Sequence, residues 1–163
     1  MKVKYLIPVL LAVLVFSFIG CSTPKVAATK TTVDESKVYV DKIGVIFLSV
    51  IGALSYFNQS MEDSSNGKIS ISKHKQDTSD FIKDINDCYN TFLSLKAPEK
   101  FNTPHELMGK GMEHLFNATI YLQQYVNSDN IGNMADYLKK ANSEILMGFT
   151  YINKAIEQYN NLK

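Results

Sequence analysis

The sequence predicts an all-α protein, an antiparallel four-helix bundle that follows an apolar N-terminal leader. Three observations carry that expectation. Beyond residue 33 the apolar residues recur with a 3,4 rhythm in four separate segments, the period of one helical stripe. Short polar breaks separate those segments, as in up-and-down bundles. No stretch alternates with the two-residue period of a strand, since Ile69 and Ile71 alone do not make one.

The first segment runs from about Val33 to Ser64, with Val40, Ile43, Phe47, Val50, Leu54, Phe57 and Met61 on one stripe. Ser64-Ser65-Asn66-Gly67 ends it. The second runs from about Ser72 to Lys96, with Phe81, Ile85, Cys88, Phe92 and Leu95 facing inward. Pro98 marks its end, because the residue before a proline is pushed out of the helical region. Thr103-Pro104-His105-Glu106 then reads as a capping box: Thr103 accepts from the Glu106 amide, Glu106 reaches back, and proline takes the first helical position. Met108, Met112, Leu115, Thr119, Leu122 and Val126 continue that third helix. After Asn127-Ser128-Asp129-Asn130, the fourth carries Met134, Leu138, Ala141, Ile145, Phe149, Ile152, Ile156 and Tyr159. The outer two helices are expected to reach about 45 Å at 1.5 Å per residue.

The N-terminus carries a different message. Met1 to Lys4 holds Lys2, Lys4 and no acid, and Tyr5 to Gly20 is a 16-residue uncharged apolar run. A basic start, an apolar middle and a small residue at the cut describe a secretory signal. The run is short of the roughly 20 residues that span a bilayer as a helix. Phe18-Ile19-Gly20-Cys21 closes it and resembles the lipobox of bacterial lipoproteins, with Phe18 standing where that family usually has leucine. The resemblance implies cleavage before Cys21, diacylation of its thiol, and a mature protein held by lipid on the extracytoplasmic face of the cell membrane. Two or more acyl chains give stable anchoring. The expected organisation is a signal peptide at 1–20, a lipidated Thr/Ala/Lys/Ser tether at 21–32 and the helical domain at 33–163.

Composition narrows the partners. All 17 basic residues are lysine, there is no tryptophan, and asparagine is abundant at 13, the bias that AT-rich codons produce. Cleavage after Gly20 leaves 15 lysines against 16 acids, a net charge of −1. That balance provides no electrostatic footprint for nucleic acid and no polybasic patch for anionic lipid. With Cys21 as the lipid site, Cys88 is left alone, so the domain must hold by its core rather than by a disulfide.

Chemistry is hard to find in this chain. There is no Glu-x-x-His, no His-Glu-x-x-His and no Gly-x-Ser-x-Gly, and His74, His105 and His114 do not pair on a helical face. Cys88 sits on an apolar stripe, where a thiol is buried and inert. His105, Met108 and Met112 do share a face at i, i+3 and i+7, and imidazole with thioethers suits copper(I). Gly44, Gly52, Gly109, Gly111 and Gly148 stand inside helices, each costing about 1 kcal/mol against alanine. Close helix approach, tolerance at exposed sites, or a loosened start of the third helix would each account for them.

Pro98, Phe101 and His105 form a Pro-x-x-aromatic-x-x-x-His junction that looks like one seen in small helical lipoproteins of Gram-positive bacteria. The resemblance brings no activity with it. Phe101 is expected to plug the bundle end. A charged His105 in a first turn is not favoured by the helix dipole, which points to a contact role. Tyr121 and Tyr125, one turn apart, are further contact candidates, because tyrosine suits a surface that is half buried and half presented. The functional expectation is a non-enzymatic extracytoplasmic lipoprotein without cofactor, binding a protein partner as an adaptor, accessory or exclusion-type factor. The alternative is a small-ligand or copper-type metal carrier.

Overall fold

The computed structural model describes residues 34–162, which belong to one compact unit, Val33–Lys163. The expected signal peptide, the tether and Cys21 lie outside the described residues. Those described are all-helical: α1 (Glu35–Ser65), α2 (Ile71–Leu93), a 3-10 turn (Glu99–Phe101), α3 (Asn102–Asn127) and α4 (Ile131–Asn161). No strand occurs among them.

Local chemistry sets three of the four α-helix starts. Asp34, Ser70 and Asn130 cap α1, α2 and α4, their side chains accepting from the amides of Ser36, Lys73 and Asn133 at 3.0–3.1 Å. At the other end of α1, Gly67 takes a left-handed φ of 70°. Its amide donates to the Ser64 carbonyl, and that of Lys68 to the Asp63 carbonyl, which satisfies two orphan acceptors of the last turn. The start of α3 differs from the expected capping box. Phe101 precedes the helix without a side-chain cap, and the chain enters α3 straight from the 3-10 turn. Phe101 is buried at 5% exposure and its amide donates to the Pro98 carbonyl, so core packing sets the entry in place of a cap. Pro104 is tolerated in the first turn, where amides lack helical partners.

Successive helices pack on one another to form a helical bundle. Its core holds Phe57, Phe81, Ile85, Met108, Met112, Leu115, Leu122 and Ile152, none more than 2% exposed. The closest seam joins α3 to α4. A Cβ on Gly111 would stand 2.6 Å from Ile152 Cγ1 and 2.8 Å from the Gly148 carbonyl oxygen; one on Gly148 would meet the Gly111 oxygen at 2.9 Å. These two glycines let the backbones meet.

α1 is turned relative to the expected stripe. Ile43, Val50 and Phe57 are buried as anticipated, but Tyr39, Ile46 and Ser60 fill the other inward positions. Val40, Phe47, Leu54 and Met61 lie half-buried beside the core. Hydrogen bonds from Tyr39 and Ser60, one near each end of α1, set this rotation over the more apolar alternative.

Candidate functional site

Three places bring chemistry-bearing side chains together. The first is the bundle end built from Tyr39 of α1, Phe92 of α2, Phe101, His105 of α3 and Tyr159 of α4. His105 stacks on Phe92 with ring centroids 4.5 Å apart, and Tyr39 stacks on Phe101 at 5.4 Å. The Tyr39 hydroxyl lies 2.8 Å from His105 Nδ1 and 2.7 Å from the Tyr159 hydroxyl. Burial raises the pKa of both tyrosines and lowers that of His105. The three groups are therefore neutral together near pH 7, a short hydrogen-bonded chain without charge. Phe101 fills this end, as expected of it, and His105 keeps part of its ring at the surface.

The second place lies where α1 meets α2, and little in the sequence pointed to it. His74 and Asp77 are each 3% exposed and Ser60 is 5% exposed. The Ser60 hydroxyl donates to Asp77 Oδ2 at 2.7 Å, so its lone pair is left for His74 Nδ1–H at 2.9 Å. Tyr56 donates to Asp77 Oδ1 at 3.0 Å, and Lys73 pairs with the same carboxylate. Burial works to raise the Asp77 carboxyl, but Lys73, Ser60 and Tyr56 together hold it below the usual range. His74 is pushed down by burial, against a smaller opposing pull from Asp77. Its ring lies between Phe57 and Tyr125, with centroids at 5.9 and 5.6 Å, and its buried Nε2 has no partner. Serine, histidine and aspartate meet here in an order that does not activate the serine. The histidine donates to Ser60 Oγ and cannot take its proton. The network holds two helices together.

The third place is an open groove of about 370 Å³ between α2 and α3. Ile82, Phe116 and Ile120 form its apolar floor, and Asn86, Gln123, Gln124 and Asn127 supply amide groups around it. No charged residue lines it. Ile120 is 47% exposed, on the side of α3 away from its buried stripe.

The remaining candidates fall as follows. Met108 and Met112 are 2% and 1% exposed and pack in the core, while His105 Nδ1 is engaged by Tyr39. Among the described residues no group of three histidine, cysteine or acidic side chains converges. Tyr125 is buried at 3% exposure against His74, so it is packing rather than a presented surface. Tyr121 is half-buried, with the Lys140 ammonium 5.7 Å from its ring centroid. Cys88 is buried among apolar groups, and burial raises its thiol pKa. Compared with protein-family models, curated proteins and solved structures, the chain finds no match in any of the three.

Proposed function

We propose that this protein is a lipid-anchored extracytoplasmic lipoprotein, a non-enzymatic antiparallel four-helix bundle that acts by binding another protein of the cell envelope. The anchoring half of the reading rests on the leader and the Phe18–Cys21 box. The up-and-down order is supported by which helix ends meet. Tyr39, Phe92, His105 and Tyr159 gather at one end, from the start of α1, the end of α2, the start of α3 and the end of α4. Ser60, His74 and Tyr125 gather at the other.

The observation that carries the binding half is the uncharged groove between α2 and α3. An apolar floor with amides around it suits an apolar side chain of a partner whose backbone or polar groups bond at the edge. Such a site would serve an adaptor, accessory or exclusion-type role. Its test is Ile120→Lys, which places a charge on the groove floor at an exposed position and leaves the core untouched. The expected result is an unchanged thermal midpoint together with loss of the cross-linked complex that the wild-type protein forms on intact cells. A complex that survives this substitution and a second one, Gln124→Lys, contradicts the groove as the binding face.

A further inference from the structure

Three features have no part in the proposed binding: the unpartnered Nε2 of His74, the partly exposed His105, and the outer face of α1. The last carries furthest. From Ile43 to Met61 α1 has no charged residue. By length and composition it could cross a membrane, a property that core helices of soluble domains share. One side is accounted for by the core. On the opposite side Val45 is 64% exposed, Leu48 68% and Ile51 36%, with Tyr56 at 51% near the far end of the run. At about 100° per residue Val45 and Ile51 fall about 60° on either side of Leu48, so the three make one face. Gly44 and Gly52 lie on the same face, with nothing within 4 Å of where their Cβ atoms would be.

We infer that this face of α1 rests on the lipid bilayer, as a second attachment beside the acyl anchor; the inference depends on the anchoring reading above. What favours lipid is where the chain outside the structure ends. Only residues 22–33 separate Cys21 from Asp34, so the start of α1 lies at most roughly 45 Å along the chain from the anchor. A surface held that close meets the bilayer at high effective concentration, and a modest apolar face then suffices. α1 is the helix next to the anchor and the one whose exposed side is uncharged over about five turns. Tyr56 sits at its edge, as aromatic residues do at membrane interfaces. The protein then lies with α1 against the membrane, its orientation fixed rather than free.

The chain contains no tryptophan, so one introduced by substitution reports alone. The natively lipidated protein carrying Leu48→Trp is extracted from its own membranes and reconstituted into phosphatidylcholine–phosphatidylglycerol vesicles, with and without brominated acyl chains. Lys83→Trp, at an exposed position of α2, is the reference. The expected result is a blue-shifted emission from the Leu48→Trp variant that brominated lipid quenches, and an emission from the Lys83→Trp variant that it does not. Water-like emission from Leu48→Trp on vesicles that carry the protein overturns the inference. So does a blue shift insensitive to brominated lipid, which would mean that protein, such as a second copy fitting the open glycines, covers the face. Failure of the protein to float with the vesicles at all would instead sink the anchoring reading, and this inference with it.

Discussion

An alanine at Gly111 would press its Cβ against Ile152 Cγ1 and the Gly148 carbonyl, and that carbonyl is backbone that cannot swing aside. Helix propensity alone would make Gly→Ala favourable by about 1 kcal/mol. At this seam, overpacking of typically about 1–3 kcal/mol outweighs it. Gly44 and Gly52 face open space, so the propensity gain stands alone there. Gly111→Ala is therefore expected to lower the urea midpoint, and Gly44→Ala or Gly52→Ala to raise it modestly. Midpoint shifts of the same sign at all three sites would show that the α3–α4 contact is looser than described. From sequence these glycines were indistinguishable; only the position of a facing backbone separates them.

At the scale of elements, the α1–α2 junction stores its acid sensitivity in a side chain. His74 is held neutral by burial, so its folded-state pKa lies below the ordinary value of 6.5. As pH falls through 6.5 the unfolded chain binds a proton that the folded chain refuses, and stability drops until the folded pKa is reached. His105 contributes in the same direction. Asp77 is shifted in the same downward direction but from an ordinary value of 3.8, so its contribution is intact above that value and is lost as pH falls from there to its lower folded pKa. Denaturant midpoints should thus fall between about pH 7.5 and 5, and His74→Gln should flatten that slope. An unchanged slope in the variant would assign the acid sensitivity elsewhere.

The same junction shows what sequence could and could not reveal. Four helices and their breaks were legible because a 3,4 rhythm and turn residues are local signals. The rotation of α1 was not. Tyr39, Ile46 and Ser60 compete with Val40, Phe47 and Met61 for the inward side, and hydropathy favours the wrong set at Ser60. That choice is made by partners on other helices, His74 and Asp77 at one end, His105 and Tyr159 at the other. The unused capping box has the same origin, since a buried Phe101 outweighs a surface cap worth about 1 kcal/mol. Cys88, Met108 and Met112 fell inside the core, as stripe positions do.

At the scale of the whole domain, residues 34–162 join a bundle of helices to an uncharged groove between α2 and α3 and an apolar outer face on α1. The proposed leader rests on patterns of contiguous residues, Tyr5 to Gly20 and Phe18 to Cys21, which need no fold to be read. The candidate binding groove could not be read that way, because Ile82, Phe116 and Ile120 come together only when α2 packs on α3. His105 was visible as a candidate, yet its partner Tyr39 lies 66 residues away in sequence, and Tyr39 in turn bonds Tyr159 across 120.

The most direct test of a lipid-anchored, protein-binding bundle is native mass spectrometry of the protein released gently from its own cell membranes. The predicted species is a chain beginning at Cys21, bearing a diacylglyceryl mass, and leaving the membrane with a second polypeptide. A chain that keeps residues 1–20 with an unmodified Cys21, or one that carries a metal or small molecule in place of a protein partner, would contradict it.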